Sequence, residues 1–298
     1  MADFVHSLSE ILSPDAKIRK VNQNPFAFLE GPVWDTRRNR LVFTDPLAQT
    51  IVAMPSEGEF HVILKNSGYA NGMCLTQEGD FAICKMDVGG IWLINGDSGD
   101  LLYPLASEWN DNPFNATNDV IIDNKGGYYF TDPFFTFGPH TQSKENTYYR
   151  DSQGKISCVA TESLKPNGLA LSPDGETLYI DDTGSVNVWK YHVSTGGMLE
   201  NPQLFCKLTP PPYPEKLAQV QRYGEADGMK TDVLGNVYIT TYTGIQVFNV
   251  LGEKIGTIEM PGEESAANLT FGGKDRKTMY ITARTSLYAL DMLVSGIG

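Results

Sequence analysis

One short pattern recurs six times along this chain, and few folds accommodate it. Each copy is an apolar strand that follows a turn of Gly or polar residues. The copies read Leu41-Val-Phe-Thr-Asp45, Phe81-Ala-Ile-Cys84, Tyr128-Tyr-Phe-Thr-Asp132, Leu178-Tyr-Ile-Asp-Asp182, Val237-Tyr-Ile-Thr-Thr241 and Met279-Tyr-Ile-Thr-Ala283. Their third residues, Phe43, Ile83, Phe130, Ile180, Ile239 and Ile281, stand 40, 47, 50, 59 and 42 positions apart. Those are the lengths of four-stranded propeller blades with loop insertions. Preceding turns such as Asp123-Asn-Lys-Gly126 and Pro173-Asp-Gly175 tolerate positive φ. Six separate sheets would leave open edges, whereas a closed ring protects them. The expected fold is therefore all-β, a six-bladed β-propeller with four-stranded antiparallel blades. It takes residues 1–298 as one domain, with an N-terminal extension over 1–16. The segment Lys17-Ile-Arg-Lys-Val21 is expected to add a strand to the last blade and close the ring.

Twelve or thirteen positions before each marker stands a carboxylate or carboxamide: Glu30, Asn71, Asn118, Asn167, Asp227 and Asn268. The first strand of a propeller blade lines the central axis, so these six side chains are expected to converge at one end of it. Two readings fit. Asn-Gly and Asp-Gly pairs make turns, a reading with real weight at Asn71 and Asn268. Alternatively, the ring collects oxygen donors for a hard cation. Two buried carboxylates on one axis are costly without a counter-charge, and Glu30 with Asp227 would balance one divalent ion. The four histidines, His6, His61, His140 and His192, lie outside the ring, which argues against a structural zinc centre.

Composition narrows the partners. A net charge of −13 opposes nucleic-acid binding, which draws on Lys and Arg. No stretch approaches 18 apolar residues, so no membrane span is expected. The first residues lack a basic segment followed by an apolar one, so a signal peptide is not expected and a cytoplasmic location is. Cys74, Cys84, Cys158 and Cys206 form no C-x-x-C pair. Cys74 and Cys84 flank one hairpin turn, where a disulfide or two buried thiols would each fit, the thiols preferred.

The motifs Glu30-Gly-Pro-Val-Trp34, Asn118 through Pro133, Lys165-Pro-Asn-Gly-Leu through Gly175, Asp227-Gly-Met-Lys230 and Ala267-Asn-Leu-Thr-Phe-Gly-Gly273 occur in order, one to a blade. In this the chain resembles the gluconolactonase/regucalcin (senescence marker protein-like) family of six-bladed lactonases. The resemblance implies one divalent metal held by Glu30, Asn167 and Asp227, with Asn118 completing the site or touching substrate. Ca²⁺ is the expected ion, and Zn²⁺, Mn²⁺ or Mg²⁺ would accept the same donors. It further implies hydrolysis of a lactone to a hydroxy acid, with a metal-polarised carbonyl and a metal-positioned water. Asp227 would take the water's proton and Asn118 would hold the carbonyl or ring oxygen. Many regucalcin-branch sugar lactonases carry an Arg two residues before the third-blade Asn. Here Ala116 stands there, so the resemblance carries a lactone and not a particular sugar.

The apolar loop Pro133 to His140 follows a second strand and is expected to cover the metal face. Within it Phe134 is the expected substrate contact, with Phe135 and Phe137 weighed alongside. Arg284 and Tyr242 are also expected at the pocket, as is Lys85, and the long insertion from Leu208 to Tyr223 reads as a lid. The expected partner is a small lactone, on a monomer or weak homo-oligomer. Two other functions fit the same ring. Organophosphate-hydrolysing propellers use Glu, Asn, Asn and Asp about Ca²⁺, but place a His where this chain has Ala283 and Arg284. A non-catalytic calcium-binding propeller is the other. The Trp-Asp signature of scaffold propellers is absent from the blade ends, since Trp34-Asp35 lies in an inner strand.

Overall fold

The computed structural model describes residues 4–211, 226–262 and 264–297. A short strand, β1 (Arg19–Lys20), precedes the first blade. Blade one holds β2 (Glu30–Asp35), β3 (Arg40–Asp45), β4 (Thr50–Ser56) and β5 (Glu59–Lys65). Blade two holds β6 (Ala70–Leu75), β7 (Phe81–Lys85), β8 (Ile91–Ile94) and β9 (Leu101–Ala106). A hairpin of β10 (Glu108–Trp109) and β11 (Asn112–Pro113) follows. Blade three comprises β12 (Val120–Ile122), β13 (Tyr128–Asp132), β14 (Asn146–Arg150) and β15 (Ile156–Ala160). Blade four comprises β16 (Pro166–Leu171), β17 (Thr177–Asp182), β18 (Asn187–Val193) and β19 (Leu199–Lys207). Blade five is β20 (Met229–Thr231), β21 (Val237–Thr241), β22 (Gly244–Phe248) and β23 (Lys254–Ile258). Blade six is β24 (Asn268–Gly272), β25 (Thr278–Ala283) and β26 (Ser286–Asp291), with β1 as its fourth strand. The fold is a six-bladed β-propeller of four-stranded antiparallel sheets.

The ring closes where the sequence placed the closure. Arg19 pairs with Ala289 and Lys20 with Tyr288. Beyond this short ladder, Val21 N–H donates to Leu287 O at 2.8 Å and Leu29 N–H to Arg284 O at 2.6 Å. The edge of β26 is thereby covered, which removes an exposed template for aggregation. All six marker residues are fully buried, so each second strand carries its blade's share of the inter-blade core. All four cysteines are free thiols, and Cys74 faces Ala82 across the β6–β7 ladder rather than Cys84.

Candidate functional site

Three of the inner strands break register at the ring. Shifts fall between Glu30 and Val33, between Ala70 and Met73, and between Pro166 and Leu169. Such bulges re-aim side chains and are frequent beside active sites. They turn Glu30, Asn71 and Asn167 toward the axis. Glycine follows four of the six ring residues, and only Gly31 among them has a positive φ, of 43°. Gly72, Gly168 and Gly228 have no positive φ, so turn chemistry does not explain them. A Cβ on Gly168 would lie 2.2 Å from Asp227 O, and one on Gly228 would lie 2.1 Å from Asn268 Cγ. A Cβ on Gly72 would lie 2.3 Å from Asp119 Oδ1. These glycines let adjacent blades approach at the axis, and the approach gathers the ring.

A second device fixes the ring segments. Asp45, Asp132 and Asp182 each stand two residues after a marker. Asp45 accepts the N–H groups of Ala27 and Phe28 at 2.9 and 3.0 Å. Asp132 accepts those of Asn115 and Ala116 at 3.0 and 3.2 Å. Asp182 accepts those of Leu164 and Lys165 at 3.0 and 2.8 Å. Each pair of amides lies just before a ring residue, respectively Glu30, Asn118 and Asn167. The signal for these anchors lies in the Thr-Asp and Asp-Asp endings of three second strands, which strand periodicity alone does not distinguish from core positions.

The ring borders a cavity of about 340 Å³ whose walls include Glu30, Asn71, Asn118, Asn167 and Asp227. Glu30, Asn118 and Asn167 are buried. Asn167 Nδ2 donates to Asp227 Oδ1 at 3.0 Å and to Thr183 Oγ1 at 3.0 Å. Asn268 is not in the wall. Its Nδ2 donates to Glu30 Oε2 at 3.3 Å, so it supports the ring from behind. Asn71 donates to Met86 Sδ at 3.6 Å. Tyr242 and Arg284 lie in the wall, and Arg284 Nε donates to Ser265 Oγ at 2.9 Å.

Phe134 is placed differently from the expectation. The cavity wall contains Phe135, Thr136 and Phe137 but not Phe134. The Phe134 ring is over a third exposed and packs beside His140, at 5.5 Å between centroids. Its backbone is bound instead, with N–H donated to Glu145 at 2.7 Å and O accepting from Lys165 at 3.0 Å. Phe137 stacks on Tyr69 at 4.1 Å, which anchors the loop to blade two. Lys85 is also outside the wall, bonded to Asp87 at 2.6 Å. The expected lid over Leu208 to Tyr223 lies mostly outside the described residues.

Charge at the axis is one-sided. Burial first, and the Asp227 charge second, hold the Glu30 carboxyl well above the usual carboxylate range. Burial and Asp227 do the same to Asp181, and burial raises Asp119, opposed by Lys230. Neither Asp119 nor Asp181 was singled out in the sequence. Asp181 occupies a slot filled by Thr44, Thr131, Thr240 and Thr282 in other blades. Among the described residues no group of three His, Cys, Asp or Glu side chains assembles. The donors at the cavity are two carboxylates with carboxamides, a hard-oxygen set suited to Ca²⁺ or Mg²⁺. Burial and the neighbouring Asp227 charge disfavour ionisation of Glu30, and a cation entering the site would relieve both.

A closed six-bladed ring with a polar axial cluster at a cavity defines this as a six-bladed β-propeller with an axial pocket. The chain belongs to the SMP-30/gluconolactonase/LRE-like family, whose model matches residues 28–285. It is 29% identical to a gluconolactonase of Zymomonas mobilis, over 94% of this chain and 82% of that one. A pentonolactonase of Haloferax volcanii is 24% identical, over 85% of this chain and 80% of that one. Among solved structures, a gluconolactonase from Xanthomonas campestris superposes with a TM-score of 0.84 at 25% identity, covering 97% and 94% of the two chains. The calcium-binding protein regucalcin from Agrobacterium tumefaciens superposes with a TM-score of 0.78 at 18% identity, covering 95% and 96%.

Proposed function

We propose that this protein hydrolyses a lactone to a hydroxy acid, with a divalent cation held by Glu30, Asn118, Asn167 and Asp227. The observation that carries the reading is the convergence of these four side chains on one cavity, in a family whose similar members include gluconolactonases. Ca²⁺ is the preferred ion because every donor is oxygen. Bound there, such an ion supplies Lewis-acid polarisation of the lactone carbonyl and lowers the pKa of water.

The chain's own residues supply the rest. Asn167 orients the Asp227 carboxylate through the 3.0 Å bond to Oδ1. Asp227 takes the proton of the attacking water as general base. Water oxygen bonds to the carbonyl carbon, the acyl C–O bond of the ring breaks, and the leaving alkoxide accepts the proton that Asp227 took from the water. Asn118 directs its amide at the carbonyl or ring oxygen. Phe135 and Phe137 exclude bulk water from the cavity mouth, and Arg284 and Tyr242 contact the substituents of the ring.

The test is hydrolysis of a panel of aldonolactones, aliphatic lactones and one phosphotriester by wild type and Asp227→Ala, with and without chelator. Lactone turnover that is lost with chelator and lost in the variant is the expected result. Turnover that survives both treatments would refute the assignment, and phosphotriester turnover alone would replace the reaction.

A further inference from the structure

The six inner strands frame a second cavity at their far ends, of about 460 Å³, which shares no wall residue with the first. Its walls carry Trp34, Leu171, Phe271 and Ile297. Lys230 also lines it, three residues past Asp227 on β20. Three residues span about 10 Å of strand, so the ammonium group lies well away from the ring. The positions three past the other ring residues are Val33, Cys74, Ile121, Ala170 and Phe271. Lys230 is thus the one cation in an otherwise apolar tier of the channel.

Charge at this cavity runs against the chain. The protein carries a net −13, yet Lys125, Lys230 and Arg276 all line this mouth. Among the described residues none of the three forms an ion pair. Lys230 Nζ donates to the Met229 carbonyl at 3.0 Å, and its charge reaches the buried Asp119 carboxylate without pairing to it. The two acids in the wall are already engaged. Asp123 accepts the Tyr149 hydroxyl at 2.7 Å and the N–H groups of Lys125 and Gly127, both at 2.8 Å. Asp174 accepts the Ser172 hydroxyl and the Glu176 N–H. An ammonium that makes no ion pair in a largely apolar cavity is under-compensated, and an anionic ligand relieves it.

We infer that this cavity binds a small amphipathic carboxylate. Its head pairs with Lys230, its chain lies along Trp34 and Phe271, and Lys125 and Arg276 hold the rim electropositive. A cavity of this size suits a ligand of modest length. The inference is independent of the lactonase reading, because it uses the opposite end of the axis.

The test is calorimetric titration of the full chain with octanoate, alongside octanol and octylammonium as neutral and cationic analogues of equal length. Octanoate is expected to bind at one site, at least tenfold more tightly than octylammonium. Lys230→Met should weaken octanoate at least tenfold, and Arg284→Met, at the other cavity, should leave it unchanged. Circular dichroism checks that the variants fold. If Lys230→Met does not fold, the double variant Lys125→Gln/Arg276→Gln decides, with at least threefold weaker binding expected. Absence of octanoate binding, octylammonium binding as tight, or variants at these lysine and arginine positions that bind like wild type would overturn the inference. Weakening by Arg284→Met would place the ligand in the cavity bordered by the ring and overturn it equally.

Discussion

Glu145 and Lys165 form an ion pair of 2.7 Å that ties the aromatic loop of blade three to the ring segment of blade four. Both side chains are nearly buried. Lys165 also accepts the Phe135 ring as a cation–π partner at 5.1 Å and donates to Phe134 O. Asn167 follows two residues later. One ammonium group thus couples the cavity cover to a proposed metal ligand.

Lys165→Met keeps the bulk of the stem and removes these bonds. It leaves Glu145 with an uncompensated charge in a nearly buried site, a change that costs about 3 kcal/mol. The expected kinetic result is a several-fold rise in KM for the lactone with a smaller fall in kcat, as the loop loses its tether. Steady-state kinetics on the most active lactone of the panel check this, and an unchanged KM would separate the loop from substrate binding.

The axial glycines predict a sharp contrast. Gly168→Ala drives a Cβ to 2.2 Å from Asp227 O and 2.9 Å from Met229 N, both backbone atoms. Overpacking of that kind costs about 3 kcal/mol. Gly196→Ala meets nothing within 4 Å and suffers only its positive φ of 73°, a cost of about 1–2 kcal/mol. Urea unfolding of both variants should show Gly168→Ala as the more damaged, and only it should lose metal affinity.

Removing charge from the ring should have opposite effects with and without the ion. Glu30 is buried, and the Asp227 charge disfavours its ionisation. In Glu30→Gln that repulsion is gone, so the chelated variant is expected to melt above chelated wild type. Saturating Ca²⁺ should raise the wild-type melting point, since an ion at one hundred times its Kd adds about 2.7 kcal/mol. The same addition should move Glu30→Gln little. Scanning calorimetry with chelator and with Ca²⁺ reads both arms, and equal stabilisation of the two proteins would remove Glu30 from the metal site.

Asp132 predicts a pH dependence. Burial pushes its carboxyl up to about 8, opposed by the N–H groups of Asn115 and Ala116. The folded chain therefore holds this proton more tightly than the unfolded chain does. The sign follows: the contribution is complete below the unfolded pKa near 4 and is lost as pH rises toward about 8. The stability advantage of wild type over Asp132→Asn should shrink across that window. An advantage that grows with pH would show that the two amides outweigh burial and hold the carboxylate charged.

Asp182 accepts four hydrogen bonds, from the N–H groups of Leu164, Lys165 and Gly184 and from the Ser185 hydroxyl. Asp182→Ala leaves buried amides unpaired, at about 1–3 kcal/mol each. It is expected to lower metal affinity without touching any ligand atom, because Asn167 loses the anchor of its segment. Calorimetric metal titration at a temperature where the variant remains folded measures the effect.

What the sequence determined on its own was the periodic part of the protein. Strand repetition, six marker residues, the closing segment before Glu30 and the ring of carboxylates and carboxamides are all local in the chain, and each recurs at a readable spacing. The tertiary structure decided which of these residues meet. Asn268 turns to Glu30 and Asn71 to Met86, while Asn118, Asn167 and Asp227 border the cavity together. It showed that Gly72, Gly168 and Gly228 serve close approach between blades and not turns, and that Phe135 and Phe137 line the cavity where Phe134 does not. It also set Lys230 among apolar walls at the far mouth. The physical reason is distance along the chain. Partners at the axis come from different blades, 60 residues apart for Asn167 and Asp227 and 238 for Asn268 and Glu30, and periodicity records where a residue stands in its blade but not what the neighbouring blade brings against it.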